Sequence, residues 1–198
     1  MTTPVTSRNR AKAERTDAIL VAAAALFGAR GYSSVSLEDI GAAVGVSGPA
    51  VYRHFAGKQA LLGALLIGVS EDLVAGGTAV VHGTADERIR MAMLVDFHVD
   101  FALRNADVIR VQDRDLSHLT QGSRSDVRRL QRAYIGLWID ALGALVTGER
   151  EELRLRVQAC FGLLNSTPHS TSAALRTRTD TARVLAAMAM AALTAGDG

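Results

Sequence analysis

Between Ile19 and Lys58 the apolar residues fall at helical spacing, yet glycine and serine cut them into short runs. That punctuation constrains the fold more than any other feature of the chain. Ile19, Ala22, Ala23, Leu26 and Phe27 recur at i, i+3, i+4, i+7 and i+8, one face of a helix. Gly31 ends that helix as a left-handed cap. Ser36 opens a second, short helix, and Asp39 three residues on completes an acidic version of the capping box. Leu37 and Ile40 form its buried face, and Gly45 closes it. Ser47 caps a third helix with Pro49 in its first turn, where a missing N–H does no harm. This helix ends near Phe55, and Gly57 separates it from Lys58. Three short helices with a glycine-containing turn between the second and third make a helix-turn-helix.

The third helix divides into two faces. Val51 and Phe55, with Val44 and Val46 of the preceding turn, supply core contacts, which leaves Gly48, Pro49, Tyr52 and Arg53 on the outer side. A helix of this kind enters the major groove and presents side chains to base edges. His54 and Lys58 follow at its end, placed to hold phosphates and fix the register. Charge agrees with a polyanion partner for this part alone. Up to Ala60 there are seven basic and four acidic residues, against 15 and 16 in the remainder.

From Arg15 to Leu62 the chain resembles the N-terminal domain of the TetR family of bacterial transcriptional regulators. The resemblance rests on Ala22-Ala23, Leu26-Phe27, Arg30-Gly31-Tyr32, Ser36-Leu37-Glu38-Asp39-Ile40, Val44-Gly45-Val46-Ser47, Val51-Tyr52-Arg53-His54-Phe55 and Lys58. It implies that the third helix reads DNA, with Ser47, Gly48, Pro49 and Arg53 on or beside it. It also implies that Tyr52 meets a base or the backbone, that His54 and Lys58 hold phosphates, and that Ser36 meets the backbone. Gly48 and Ala50 depart from the longer residues often found there. Neither makes a bidentate base contact, so direct readout falls to Tyr52, Arg53 and the Pro49 ring, with DNA shape supplying the rest.

The remaining pattern is helical throughout, and the expected fold is all-α. Residues 1–10 read as a disordered basic tail, 11–57 as the helix-turn-helix domain and 58–198 as a larger helical domain for ligand binding and dimerisation. Helices are expected over Lys58 to His82, loosened at Gly76-Gly77, over Thr84 to Arg104 with a Thr84/Glu87 capping box, and over Asp107 to Leu119. Others are expected over Asp126 to Val146, Gly148 to Asn165 and Thr179 to Thr194, with a loop from Thr167 to Ser172.

Within this body Met93, Phe97, His98 and Phe101, with Tyr134 and Trp138 of a later helix, are candidates to line a pocket for a flexible apolar ligand. The same residues also suit an ordinary bundle core, and His98 suits a bond to a backbone carbonyl. Arg110 and Arg114 read either as a solvated ion-paired face or as a pocket rim that meets an anion. The resemblance implies a small-molecule effector, for which a fatty acid or acyl-CoA is the candidate, and release from DNA on binding it. It also implies a homodimer through the last two helices, whose small apolar surfaces include Ala159, Cys160, Gly162, Ala186, Ala187 and Ala189. Ala189→Glu is therefore expected to split the dimer.

Other classes fare less well. The single cysteine, Cys160, excludes an intramolecular disulfide, and the five histidines show no metal-ligand spacing. No phosphate-binding loop, nucleophile elbow or dinucleotide fingerprint occurs, so neither enzyme nor cofactor is expected. Arg8 to Phe27 is unlike a signal peptide because Glu14 and Asp17 interrupt it. Val184 to Ala195 is too short to span a bilayer. A cytoplasmic repressor binding a palindromic operator is the resulting expectation. A DNA-organising protein without small-molecule control is the alternative.

Overall fold

The computed structural model describes residues 7–196 and is helical throughout, with no strand among the described residues. The helices are α1 (Ser7–Arg30), α2 (Leu37–Ala43), α3 (Gly48–Val51), α4 (Lys58–Gly83), α5 (Glu87–Arg104) and α6 (Ala106–Asp115). Then come α7 (Gln121–Leu145), α8 (Arg150–Asn165), α9 (Thr167–Ser170), α10 (Ala173–Arg176) and α11 (Thr179–Leu193). Single 3-10 turns cover Tyr32–Ser34 and Leu116–His118. Of the expected tail, residues 1–6 lie outside the described residues, whereas 7–10 are already helical. The helix-forming Ala11-Lys12-Ala13-Glu14 segment extends α1 backwards past the point where apolar periodicity begins.

Two hydrophobic cores organise the chain. The first gathers Ile19, Ala23 and Phe27 of α1, Leu37 and Ile40 of α2, Val51 of α3, and Leu61 to Leu66 of α4. Val108 and Val111 of α6 and Val127 of α7 also enter it, so the small domain leans on the large one. The second core gathers α5, α7, α8 and α11 around the fully buried Trp138, Leu142, Val157 and Cys160. α4 serves both. By length and composition α4 is apolar enough to cross a bilayer. Here its apolar face is packed on α7, α5 and α1 instead.

Several boundaries differ from the sequence reading, each for a local reason. Asp86, not Thr84, caps α5, its carboxylate accepting from the Ile89 N–H at 2.8 Å. The Thr84 hydroxyl donates to Met93 Sδ. α7 begins five residues early because Thr120 Oγ1 accepts from the Ser123 N–H at 3.1 Å. The expected loop from Thr167 to Ser172 holds the short helix α9, and a second short helix, α10, follows it, capped by Ser172. Gly76 and Gly77 do not loosen α4. A Cβ there would stand 2.3 Å from Phe97 Cζ and 2.8 Å from Tyr134 Cε2, so these glycines admit aromatic rings from α5 and α7.

Candidate DNA-reading surface and effector cavity

The reader is held by local contacts that leave one surface open. Ser36 and Asp39 close the full capping box, with Asp39 Oδ2 accepting from the Ser36 N–H at 2.8 Å and Ser36 Oγ accepting from the Asp39 N–H at 3.0 Å. Those bonds from Ser36 hold the Asp39 carboxyl below its ordinary range. The turn into α3 depends on glycine. Gly45 adopts φ 70°, and a Cβ on Gly41 would lie 2.7 Å from the Val46 carbonyl oxygen. α3 therefore sits close over α2 and turns its outer side to solvent.

On that outer side Ser47, Pro49, Tyr52 and Arg53 are exposed, Tyr52 at 56%. Ser47 makes no side-chain cap bond, contrary to the sequence reading, so its hydroxyl is available to a phosphate. The Arg53 side chain makes no hydrogen bond or ion pair among the described residues. Gly48 differs from expectation: it is buried, and a Cβ there would meet Glu38 Oε1 at 2.9 Å, so it faces α2. His54 is half-buried, with Nδ1 2.9 Å from the Thr16 hydroxyl. That hydroxyl donates its own proton to the Lys12 carbonyl, so the His54 Nδ1–H is the donor. Only Nε2 remains for DNA, and it donates only when the ring is protonated.

Lys58 is held by contacts that the sequence did not suggest. Its ammonium donates to the carbonyls of Tyr32 at 2.9 Å, Val35 at 2.9 Å and Ser33 at 3.5 Å. It also lies 4.5 Å over the Tyr32 ring. In this structure Lys58 thus fastens the start of α4 to the loop before α2.

In the large domain a cavity of about 180 Å³ opens among α4, α5, α6, α7 and α8. Phe101, Ile109, Leu130, Ile135, Leu73 and Phe161 provide its apolar wall. Ser70, His98, Gln112, Gln131, Tyr134 and Asn165 provide polar atoms, and no charged side chain lines it. His98 is buried, which lowers its pKa to about 4 and keeps it neutral near pH 7. Its Nε2 lies 3.1 Å from Asn165 Oδ1 and its Nδ1 3.4 Å from the Tyr134 hydroxyl. Since Oδ1 accepts, Nε2 carries the proton and Nδ1 accepts from Tyr134. Burial likewise pushes the Tyr134 phenol up, so it stays a neutral donor.

Thus His98, Phe101 and Tyr134 reach the cavity as expected, although His98 bonds side chains rather than a backbone carbonyl. Trp138 stands behind it, 4.8 Å from the Phe161 ring and 5.9 Å from His98. Phe97 packs on Gly76 and lines a separate cleft with Asp72 and Asp100. Met93 is exposed on the far side of α5. Arg110 is paired with Asp107 at 2.8 Å and donates to the Pro168 carbonyl at 2.7 Å. Arg114 donates to the Phe27 carbonyl at the end of α1 and pairs with the buried Asp115 at 3.0 Å. Neither arginine lines the cavity. Ser70, Gln112, Gln131, Phe161 and Asn165 were missed; Gln131 gave a signal, standing three residues before Tyr134 on the buried face of α7.

Two helices join cavity to reader. α4 lines the cavity at Ser70 and Leu73 and enters the reader core at Leu61 to Leu66. α6 lines it at Ile109 and Gln112, packs on α1 through Val108 and Val111, and holds the end of α1 through Arg114. Just beyond, His118 stacks on Tyr32 at 4.7 Å and accepts from Gln59 Nε2 at 2.8 Å through its carbonyl.

The proposed dimer seam also changes position. Cys160, Ala189, Val157, Leu164 and Leu193 are fully buried within this chain. Burial raises the Cys160 thiol to about 12, which leaves it inert. The exposed apolar stripes are Leu155, Ala159 and Gly162 on α8, and Val184, Ala187, Met188 and Ala191 on α11.

Comparison with known proteins agrees with this architecture. Residues 19–65 match the bacterial regulatory proteins of the tetR family. The HTH-type transcriptional repressor KstR2 of Rhodococcus jostii (strain RHA1) is 25% identical over 168 residues, 84% of this chain and 82% of that protein. A TetR-family transcriptional regulator from Bordetella parapertussis 12822 superposes with a TM-score of 0.80 at 25% identity, covering 91% of this chain and 94% of the other. AibR, solved in complex with isovaleryl coenzyme A and operator DNA, superposes with a TM-score of 0.73 at 19% identity, covering 89% and 96%. With its helix-turn-helix reader and helical C-terminal domain, this chain belongs to the TetR family of transcriptional regulators.

Proposed function

We propose that this chain is a cytoplasmic, ligand-responsive repressor that binds a palindromic operator as a homodimer and leaves it when an effector fills the cavity. The observation that carries this reading is the pairing of an open reading surface with an open cavity, both attached to α4 and α6. A bundle with no internal space would favour the alternative, a purely DNA-organising role.

On DNA, Tyr52 and Arg53 carry base readout, and Ser36 and Ser47 meet the backbone. In the dimer, the stripes around Leu155 and Met188 pair with their symmetry mates, which sets two recognition helices about 34–36 Å apart for successive major grooves. The effector end that enters the cavity is compact and uncharged. An apolar cavity of about 150 Å³ holds a benzene-sized molecule, and this one is slightly larger. The lining has no cation for a carboxylate, so an acyl carbonyl bonded by Asn165, Gln112 or Gln131 fits better than a free fatty acid. Occupancy displaces Ile109 and Ser70, and α6 and α4 carry that displacement to the reader. Coupling of about 1–3 kcal/mol between effector and operator is expected.

The test starts from genomic fragments selected by the purified chain. A two-fold symmetric site bound by dimers is expected. Met188, 50% exposed on α11, is the position to break the seam without touching either core. Met188→Glu should sediment as a folded monomer with at least tenfold weaker operator binding. A wild-type chain that is monomeric at micromolar concentration, or selects no site, would contradict the reading.

A further inference from the structure

One stripe of α7 changes character halfway along the helix. Arg124, Arg128, Gln131 and Ile135 stand at i, i+4, i+7 and i+11, a single face. Gln131 and Ile135 line the effector cavity. Arg124 and Arg128, with Gln121, Ser125 and Arg132, line an open groove of about 590 Å³. No acidic and no apolar side chain lines that groove. The nearby Asp126 is already paired with Arg129 at 3.3 Å. Arg124 is committed to the Ser117 and Leu119 carbonyls, at 2.7 and 3.3 Å. Arg128 and Arg132 are exposed, and their side chains make no hydrogen bond or ion pair among the described residues. Both therefore have guanidinium groups to offer an anion.

Cavity and groove have complementary limits. The cavity admits a compact uncharged group and has no cation; the groove has cations and no apolar wall. They share no lining residue but are neighbours along α7, because Arg128 and Gln131 are three residues apart, with Cβ atoms about 5–6 Å from each other. We propose that Arg128 and Arg132 form an anion site for the phosphates of an effector whose uncharged end occupies the cavity. A thioester of a phosphate-bearing carrier, such as coenzyme A, has that division of charge. This rests on the ligand-responsive reading and adds the site that recognises the carrier. Operator phosphates are the other polyanion the chain meets, but the position beside the cavity on α7 favours the effector.

Isothermal titration of the full chain with coenzyme A tests the site, comparing wild type with the double variant R128Q/R132Q. The wild type should bind, and the variant should bind at least tenfold more weakly while keeping its helical circular dichroism. Raising salt should weaken the wild type more steeply than the variant. No binding to the wild type, or equal binding to both proteins, would overturn the site. A variant that keeps coenzyme A but loses operator affinity would overturn it too, and would reassign these arginines to DNA. Operator binding by the same wild-type preparation tests the parent reading separately: if it persists without coenzyme A binding, the site alone falls.

Discussion

The two cores of this chain solve opposite problems. The reader core is mostly aliphatic, with two buried rings, Phe27 and Phe55, and its polar groups are fastened one by one: Ser36 to Asp39, Lys58 to three carbonyls, Arg114 to the end of α1. The sensor core instead clusters His98, Phe101, Tyr134, Trp138 and Phe161 and leaves about 180 Å³ unfilled beside them. A surface that must fit the fixed spacing of DNA benefits from rigidity. A site that answers to a ligand needs space and polar groups still free to bond. α4 and α6 belong to both.

The sharpest way to break this comparison is to remove the fully buried ring of the reader core, Phe27. Phe27→Ala should cost about 3–5 kcal/mol. Hydrogen exchange should then show α1 to α3 opening while the amides of α7 and α8 stay protected. Equal loss of protection in both regions would mean that the two cores fold as one unit.

The next effect is a pH dependence confined to the sensor. His98 is held at about 4 when folded, against about 6.5 when unfolded, so below 6.5 the unfolded chain binds more protons. Its neutral burial is fully compatible with stability above pH 6.5, and stability falls as pH drops from 6.5 towards 4, by roughly 3 kcal/mol at the lower end. Melting of wild type and His98→Gln across that range should show a shallower slope in the variant. Parallel curves would place the titration elsewhere.

A smaller effect tests the join. Arg114→Ala leaves the Asp115 carboxylate buried at 4% side-chain exposure without its partner and frees the Phe27 carbonyl. A loss of about 1–3 kcal/mol is expected. More tellingly, effector binding should move operator affinity less than in the wild type. An unchanged coupling would leave α4 as the sole link.

The sequence showed the reader well because its signals are local. Gly31, Gly45, Ser36 and Asp39 act within three or four residues, and the helices begin and end close to where those residues indicate. The fastening of Lys58 was not legible because its carbonyl partners lie 23 to 26 residues away, which no local pattern reveals. Gly48 was misplaced because facing α2 and facing DNA differ by a rotation of one short turn. In the sensor, rings such as Phe101 and Tyr134 stood out, whereas Gln112, Gln131 and Asn165 were not singled out. Their convergence from α6, α7 and α8 exists only in the folded chain. Ala189 shows the same limit: small apolar residues mark close packing, but not whether the neighbour is the same chain or another copy.

Arg53 tests the central claim, that a rigid reader presents a small set of side chains to DNA. It is exposed, unpaired among the described residues, and flanked by the inward-facing Gly48 and the short Ala50. The measurement is selection of binding sites from a random duplex library by wild type and Arg53→Ala in parallel, at fixed salt. The wild type should yield a two-fold symmetric consensus. The variant should yield the same spacing with preference lost at one position per half-site, a cost of about 1–3 kcal/mol there. An identical consensus from both proteins, or none from the wild type, would contradict the account.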